Sequence, residues 1–268
     1  MTTAVVVTFN SARFVPACLD ALPSMPVVVV DNASEDGTRD LVRSAYPTAR
    51  LVARARNGGF AVAVNEGLRV CGDDDVLVLN PDVVVAPGSV DILENYMRDH
   101  PTVGIAVPRL VYPDGTTQLS VRTFPSPITM LARRSVFGTT HLGRKLLSRH
   151  LEEGAVDVSR AVDWALGAAL LVRRQAIADV GAMDRRFFLY GEDVDWCYRM
   201  WAGGWQVHVV PEAVMEHRYE RASRGTLDLR SAPTRHHWAS VFKLFALHPG
   251  LLIGRGPRLA REASVRRD

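Results

Sequence analysis

Through its first hundred residues the chain alternates short apolar runs rich in β-branched side chains with amphipathic stretches. That alternation is the pattern of a parallel sheet covered by helices. Strands are predicted at residues 4–9, 27–31, 50–53 and 76–79, with helices near 11–22, 35–45, 59–70 and 89–99. Asn10, Ser34 and Gly88 stand where the first, second and fourth helices should start. A further strand is expected at 103–107, and Pro113-Asp114-Gly115 reads as the turn of a hairpin between 109–112 and 117–121. Periodicity is lost over 124–158, which reads as an insertion or acceptor-side loop. It returns as a strand at 168–172, a helix at 192–202 and a strand at 206–210. From Pro233 onward, Trp238, Val241, Phe242 and Phe245 recur at helical spacing, followed by Leu251-Leu252-Ile253 and several arginines.

With 268 residues, 47% of them hydrophobic, the chain can bury one large core. Its three cysteines, Cys18, Cys71 and Cys197, are too few and too scattered for a disulfide framework or a thiolate metal site, and they point to a reducing, cytoplasmic setting. The start of the chain lacks a signal-peptide pattern, and no apolar run is long enough to span a bilayer. Net charge is +3, unevenly spread. Residues 115–151 contain no acid but six bases, Arg122, Arg133, Arg134, Arg144, Lys145 and Arg149. Residues 229–261 repeat this with Arg230, Arg235, Lys243, Arg255, Arg258 and Arg261. Removing these twelve of the 32 bases leaves 20 against 29 acids, or −9. An acidic body with two basic appendages suits an anionic partner such as a membrane surface or a lipid-linked diphosphate; a solvated arginine-rich face is the plainer alternative.

In an open α/β sheet, ligands bind beyond the carboxyl ends of the strands. Thr8 and Asn10 close the first strand, Asp31 the second, Asn57-Gly58-Gly59 follows the third, and Asn80-Pro81-Asp82 the fourth. The triplet Asp73-Asp74-Asp75 precedes its strand and reads as a solvated turn at the other edge. Asp31 is either an acceptor for a pyrimidine imide or ribose hydroxyl, or a turn residue capping the next helix. Asn57-Gly58-Gly59 permits close backbone approach, and the helix it opens favours phosphate. Asp82 suits a Mg²⁺ or Mn²⁺ ion shared with a diphosphate, and His217 is either its second ligand or a structural histidine. On the helix opened by Gly191-Glu192-Asp193, Asp193 shares a mostly apolar face with Trp196, Cys197 and Met200, whereas Asp195 and Arg199 pair on another face. Asp193 is then an inward-facing helix-start charge or a general base.

With these residues assembled, the chain resembles the family 2 glycosyltransferases of GT-A fold, in particular the rhamnosyltransferase-like members that act on lipid-linked sugars. The matching landmarks are Val6-Val7-Thr8-Phe9-Asn10, Val30-Asp31-Asn32-Ala33-Ser34, Asn57-Gly58-Gly59-Phe60, Leu79-Asn80-Pro81-Asp82, Trp164-Ala165-Leu166-Gly167-Ala168 and Tyr190-Gly191-Glu192-Asp193-Val194-Asp195, spread over residues 4–219. The resemblance implies a Rossmann-like, mostly parallel sheet flanked by helices, with a C-terminal helical extension. It divides the chain into a transferase domain at 1–230, nucleotide-binding over 1–108 and acceptor and catalytic over 109–230, and a basic amphipathic extension at 231–268. It puts Thr8, Asn10, Asp31, Asn57, Gly59, Asn80 and Asp82 on the donor nucleotide and Trp164, Gly167 and Glu192 beside the sugar or acceptor. Asp82 and His217 fall at a Mn²⁺ or Mg²⁺ ion, and Asp193 is the catalytic base. Many relatives carry an acid where this chain has Asn80.

The implied activity is inverting transfer of a sugar, foremost L-rhamnose from dTDP-rhamnose, to a hydroxyl of a glycan or lipid-linked acceptor in cell-envelope polysaccharide synthesis. The alternatives are another UDP- or dTDP-sugar transferase, such as a galactofuranosyltransferase, and a non-catalytic nucleotide-sugar-binding protein. A nucleotidyltransferase is disfavoured because residues 4–10 lack a glycine-rich triphosphate loop, and nucleic acid because the basic blocks carry no aromatic-interleaved motif. The expected setting is the inner face of the plasma membrane, with peripheral contact to anionic lipid; the extension's apolar face alternatively completes the core or a homodimer contact.

Overall fold

The structure, a computed structural model, describes residues 1–134, 139–150, 157–218 and 232–257. Strands β1 (Thr2–Thr8), β2 (Val27–Asp31), β3 (Arg50–Ala53) and β4 (Asp75–Leu79) alternate with helices α1 (Val15–Asp20), α2 (Thr38–Ala45) and α3 (Phe60–Val70). The chain continues through β5 (Val83–Val85), α4 (Ser89–Asp99), β6 (Val103–Val111), β7 (Val121–Arg122), α5 (Pro127–Arg134) and α6 (His141–His150). It ends with β8 (Arg160–Ala161), β9 (Trp164–Ala165), β10 (Ala169–Val172), α7 (Arg174–Val180), α8 (Glu192–Ala202), β11 (Gln206–His217), α9 (Ala232–Leu247) and a 3₁₀ turn, Pro249–Ile253.

Among the described residues nine strands form one sheet in the order β3-β2-β1-β4-β10-β6-β11-β5, with β8 added beside β11. The first four are mutually parallel, β10 lies antiparallel between β4 and β6, and β11 runs parallel to β6. Six strands therefore point the same way, as the sheet was expected to. Side chains alternate between two cores: Val5, Val7, Val28 and Val30 face one that includes α3, α7 and α8, while Val6, Val29, Leu77 and Leu79 face α1 and α4. Strand runs that are apolar on both sides follow from burial of both faces.

Three expectations need correction. The first two helices start later than expected, at Val15 and Thr38, because Asn10 and Ser34 bond to each other's loops instead of capping. The Ser34 hydroxyl accepts the Asn10 amide at 2.9 Å, and the Asn10 side-chain oxygen accepts the Glu35 amide at 2.8 Å. The expected hairpin shrinks to a single bridge between Val111 and Thr117, since β7 pairs instead with β9. Lastly, the stretch without periodicity contains α5 and α6, which pack on each other, with α5 also against the C-terminal turn. Residues 135–138 and 151–156 of that stretch, residues 219–231, and 258–268 with Arg258 and Arg261 lie outside the described residues, as do the side chains of Arg133, Arg134 and Arg149. Among the described residues no helix is long and apolar enough to cross a membrane.

Candidate active site

The carboxyl ends of β1, β2, β4 and β11 lie on one edge of the sheet, and so does the start of β10, which runs antiparallel beside β4. Thr8, Asp31, Asn80, His217 and Gly167 share that edge as a consequence. The acids of the 73–75 triplet lie at the opposite edge, where Asp74 accepts from the Thr3 hydroxyl and Asp75 accepts the Arg174 amide. All three non-glycine residues of positive φ among those described, Asn10, Ala33 and Tyr190, belong to segments of the ligand-side edge. Strain of this kind persists where surrounding contacts enforce it.

Asp31 is fully buried; it accepts from the Thr8 hydroxyl, the Ser34 amide and the Arg39 guanidinium. Burial pushes its carboxyl pKa up, but the bonds from Ser34 and Arg39, with Arg39's charge, outweigh that and hold it below the ordinary aspartate value. One loop on, Asn57 accepts from both the Asn32 side chain and the Gly59 amide, and Asn32 accepts the Gly58 amide. These bonds fix the entry to α3. Gly59 has φ 87°, and a Cβ there would stand 2.3 Å from the Phe188 carbonyl oxygen, which also accepts the Phe60 amide. Only glycine fits between α3 and the segment that leads into α8.

Asp82 and His217 meet because β5 folds back antiparallel onto the end of β11, pairing Val83 with His217, while the Arg218 amide donates to the Asp82 carbonyl. His217 Nε2 and Asp82 Oδ1 are 3.4 Å apart, and His217 Nδ1 lies 2.7 Å from Gln118 Oε1. The 3.4 Å separation exceeds the usual hydrogen-bond range of about 2.7–3.2 Å and is somewhat wider than the roughly 3.0 Å between neighbouring ligands of an octahedral ion bound at about 2.1 Å, so a small side-chain shift brings the pair to ligand spacing. A carboxylate and an imidazole oriented through its second nitrogen are suitable donors for Mn²⁺ or Mg²⁺. Among the described residues no third His, Cys, Asp or Glu joins them, so the protein's residues fit an ion that takes its remaining ligands from phosphate and water. Gln118 was not singled out from the sequence, because a lone glutamine within the expected strand at 117–121 carries no signal of a bond to His217. Cys18 lies near enough for the Asp82 charge to add to burial in raising its thiol pKa to about 12, so it is an inert neighbour.

Asp193 opens α8, half-buried, and its Oδ2 accepts the Gly167 amide at 3.2 Å. Burial raises its pKa, although the amides of Val194 and Gly167 and the charge of Arg122 oppose the rise. Beside it Glu192 is buried, one carboxylate oxygen has no hydrogen-bond partner, and burial with the Asp193 charge raises its pKa as well. Arg122 pairs with Trp164 across β7 and β9 and lies over its ring at 5.3 Å. Trp164 is buried and its indole donates to the Thr123 carbonyl, which makes it an aromatic wall whose single donor is engaged. The assignment of faces on α8 needs revision: Asp195 is 1% exposed, more enclosed than Asp193, because the C-terminal segment covers it. Its oxygens bind Arg199 and His248, both at 2.8 Å.

The family model described as "Glycosyl transferase family 2" matches residues 3–152. The N-acetylglucosaminyl-diphospho-decaprenol L-rhamnosyltransferase of Mycobacterium tuberculosis (strain ATCC 25618 / H37Rv) is 34% identical over 236 residues, 84% of this chain and 76% of that one. A dTDP-rhamnosyl transferase of Shigella flexneri is 26% identical over 220 residues, 80% of this chain and 68% of that one. Among solved structures, that of GalNAc-T7 with UDP, GalNAc and Mn²⁺ superimposes with a TM-score of 0.62 at 16% identity, over 93% of this chain. This chain spans about half of that protein, 51%. The architecture is thus that of GT-A glycosyltransferases. A matched family model over more than half the chain and a 34% identical relative lead to one conclusion: the chain belongs to glycosyltransferase family 2.

Proposed function

We propose that the protein is an inverting rhamnosyltransferase that moves L-rhamnose from dTDP-rhamnose to a hydroxyl of a glycan or lipid-linked acceptor in cell-envelope polysaccharide synthesis. The observation that carries the reading is Asp193, a carboxylate whose pKa is raised by burial and whose orientation is fixed by the Gly167 amide, on the edge that also holds Asp82 and His217. The names of the M. tuberculosis and S. flexneri relatives supply the sugar, and the second also the nucleotide.

In this mechanism Asp193 takes the proton of the acceptor hydroxyl. The acceptor oxygen then attacks the anomeric carbon from the face opposite the diphosphate; the bond to the diphosphate oxygen breaks, and dTDP leaves with the bonding pair. No covalent enzyme intermediate forms. Asp31, kept ionised, accepts from the imide of the base, and Thr8, Asn10 and Asn57 line the nucleoside side. The Gly58, Gly59 and Phe60 amides are engaged within the protein, so the N-terminus of α3 favours the phosphates through its dipole, with Asn80 beside it. Trp164, Gly167 and Glu192 bound the sugar and acceptor side. Asp82 and His217 would hold a divalent cation, which when bound neutralises charge on the departing diphosphate. Loss of Mn²⁺-dependent thermal stabilisation by dTDP in Asp82→Ala is the expected sign of that role; equal stabilisation in both proteins contradicts it.

A lipid-linked acceptor brings the protein to a membrane surface, so its setting is the cytoplasmic face as a peripheral protein. The test of the function is the anomeric configuration of the product by NMR, with dTDP-rhamnose and a water-soluble acceptor analogue. Inversion supports the reading. Retention, or no transfer from dTDP-rhamnose beside transfer from another sugar nucleotide, overturns its stereochemistry or its donor respectively.

A further inference from the structure

We propose that the two acid-free blocks, separated by 77 residues of sequence, fold into one docking face for an anionic lipid bilayer, built from α5, α6 and the C-terminal segment. The inference rests on the reading that the acceptor is lipid-linked, and it names the surface that meets the lipid.

The blocks are joined in space. Helix α5 packs against both α6 and the 3₁₀ turn, and α9 packs against that same turn. At the seam, the Phe124 ring lies so close to Gly256 that a Cβ on the glycine would come within 2.6 Å of it, and the other side of the ring meets Tyr198 edge-on at 5.5 Å. The first block thereby reaches the second and α8 through one side chain.

The combined surface has the composition of a membrane-contacting face. Ile128, Leu142, Phe242, Leu252 and Ile253 are each at least 51% exposed. They make up five of the nine large hydrophobics exposed among the described residues, although the blocks comprise only 37 and 33 of 268 residues. A folded chain ordinarily keeps such residues scattered. Around them Arg144, Lys145 and Arg255 are exposed, and the blocks contain no acid to offset them. Apolar side chains for the acyl boundary with cations for phosphate headgroups are the two components of reversible membrane binding. The charge selects the occupant: a second copy would set cations against cations across a two-fold contact, whereas an anionic bilayer complements them.

The face is also bonded to the walls of the active site. Thr123, whose carbonyl accepts from Trp164, donates its amide to the His150 carbonyl at the end of α6. The Ser240 hydroxyl of α9 donates to the Leu189 carbonyl three residues before Glu192, and His248 reaches Asp195. Docking by this face holds the acceptor-side wall at the lipid surface.

The test uses the full chain with vesicles of phosphatidylcholine alone and of phosphatidylcholine with phosphatidylglycerol. Sedimentation is expected only with the anionic vesicles, weakening as salt rises. Ile128→Ser with Leu142→Ser, and separately Leu252→Ser with Ile253→Ser, should each reduce the bound fraction constant about tenfold. Arg144→Glu with Lys145→Glu should do likewise. Donor turnover with the water-soluble acceptor should stay unchanged in all three, which separates failure of this proposal from failure of the proposed function. Three results overturn it: no binding to anionic vesicles, loss of binding in the variants of one block with none in the variants of the other, or conversion of a dimer to a monomer with vesicle binding intact.

Discussion

Asp193 and Glu192 are adjacent carboxylates in a site that shields both from water, so ionising one raises the cost of ionising the other. In the proposed mechanism Asp193 acts as base only when ionised, and its pKa is raised, so activity should fall as pH drops through a value above the ordinary aspartate pKa of about 4. The acid limb of kcat/KM should therefore lie above that value; a limb at or below it contradicts the desolvation argument. Asp193 stood out in the sequence as an acid on the apolar face of a helix start, but the residues alone left it between a helix-start charge and a base, and only the family resemblance pointed to the base. Trp164 and Gly167 were legible as positions, but their bonds were not: the indole is satisfied by Thr123 and the glycine's contribution is its amide. Of Asp31's donors, the Ser34 amide belongs to the turn that the sequence suggested, whereas the Thr8 hydroxyl and the Arg39 guanidinium come from other segments that no local pattern reveals.

Elements settle how those residues meet. The parallel half was readable because both faces of β1, β2 and β4 are buried, which leaves an apolar signature in the sequence itself. Strand β5 was not readable: three valines after Asp82 form a strand only because the end of β11 is there to receive them, and that pairing brings His217 to Asp82. Helix α3 and the segment before α8 depend on each other at Gly59. Gly59→Ala would force its Cβ against the Phe188 carbonyl, and is expected to lower stability by about 1–3 kcal/mol and to reduce turnover. Unchanged unfolding and rate would show that the segment moves freely. On α8, Asp195 is covered by His248, which also stacks on Tyr198 with ring centroids 3.9 Å apart. His248→Ala should cost about 1–3 kcal/mol in chemical denaturation while leaving Asp195 paired to Arg199. A negligible cost would mean that the C-terminal segment contributes little to holding α8.

The whole molecule is built on one sheet, and under the proposed function its ligand edge collects donor-side loops from the first half and acceptor-side groups from the second. Helix α9 bonds to the segment before α8, so the extension is tied to the wall that carries Glu192 and Asp193. The sequence division at residue 230 marks a change of charge more clearly than a change of contact. The helical spacing expected on α9 left open whether its apolar positions meet lipid or the body, and they divide: Leu244 and Phe245 pack on the core, whereas Phe242 is 70% exposed. Charge pattern identified the two basic blocks, and only the folded chain showed them in contact. The central claim is that Asp193 is the base on which transfer depends. Asp193→Asn keeps the shape of the side chain and removes its basicity, so single-turnover transfer from dTDP-rhamnose should fall by about 10²–10⁴-fold with donor affinity unchanged. Transfer at the rate of the unaltered protein would contradict the account.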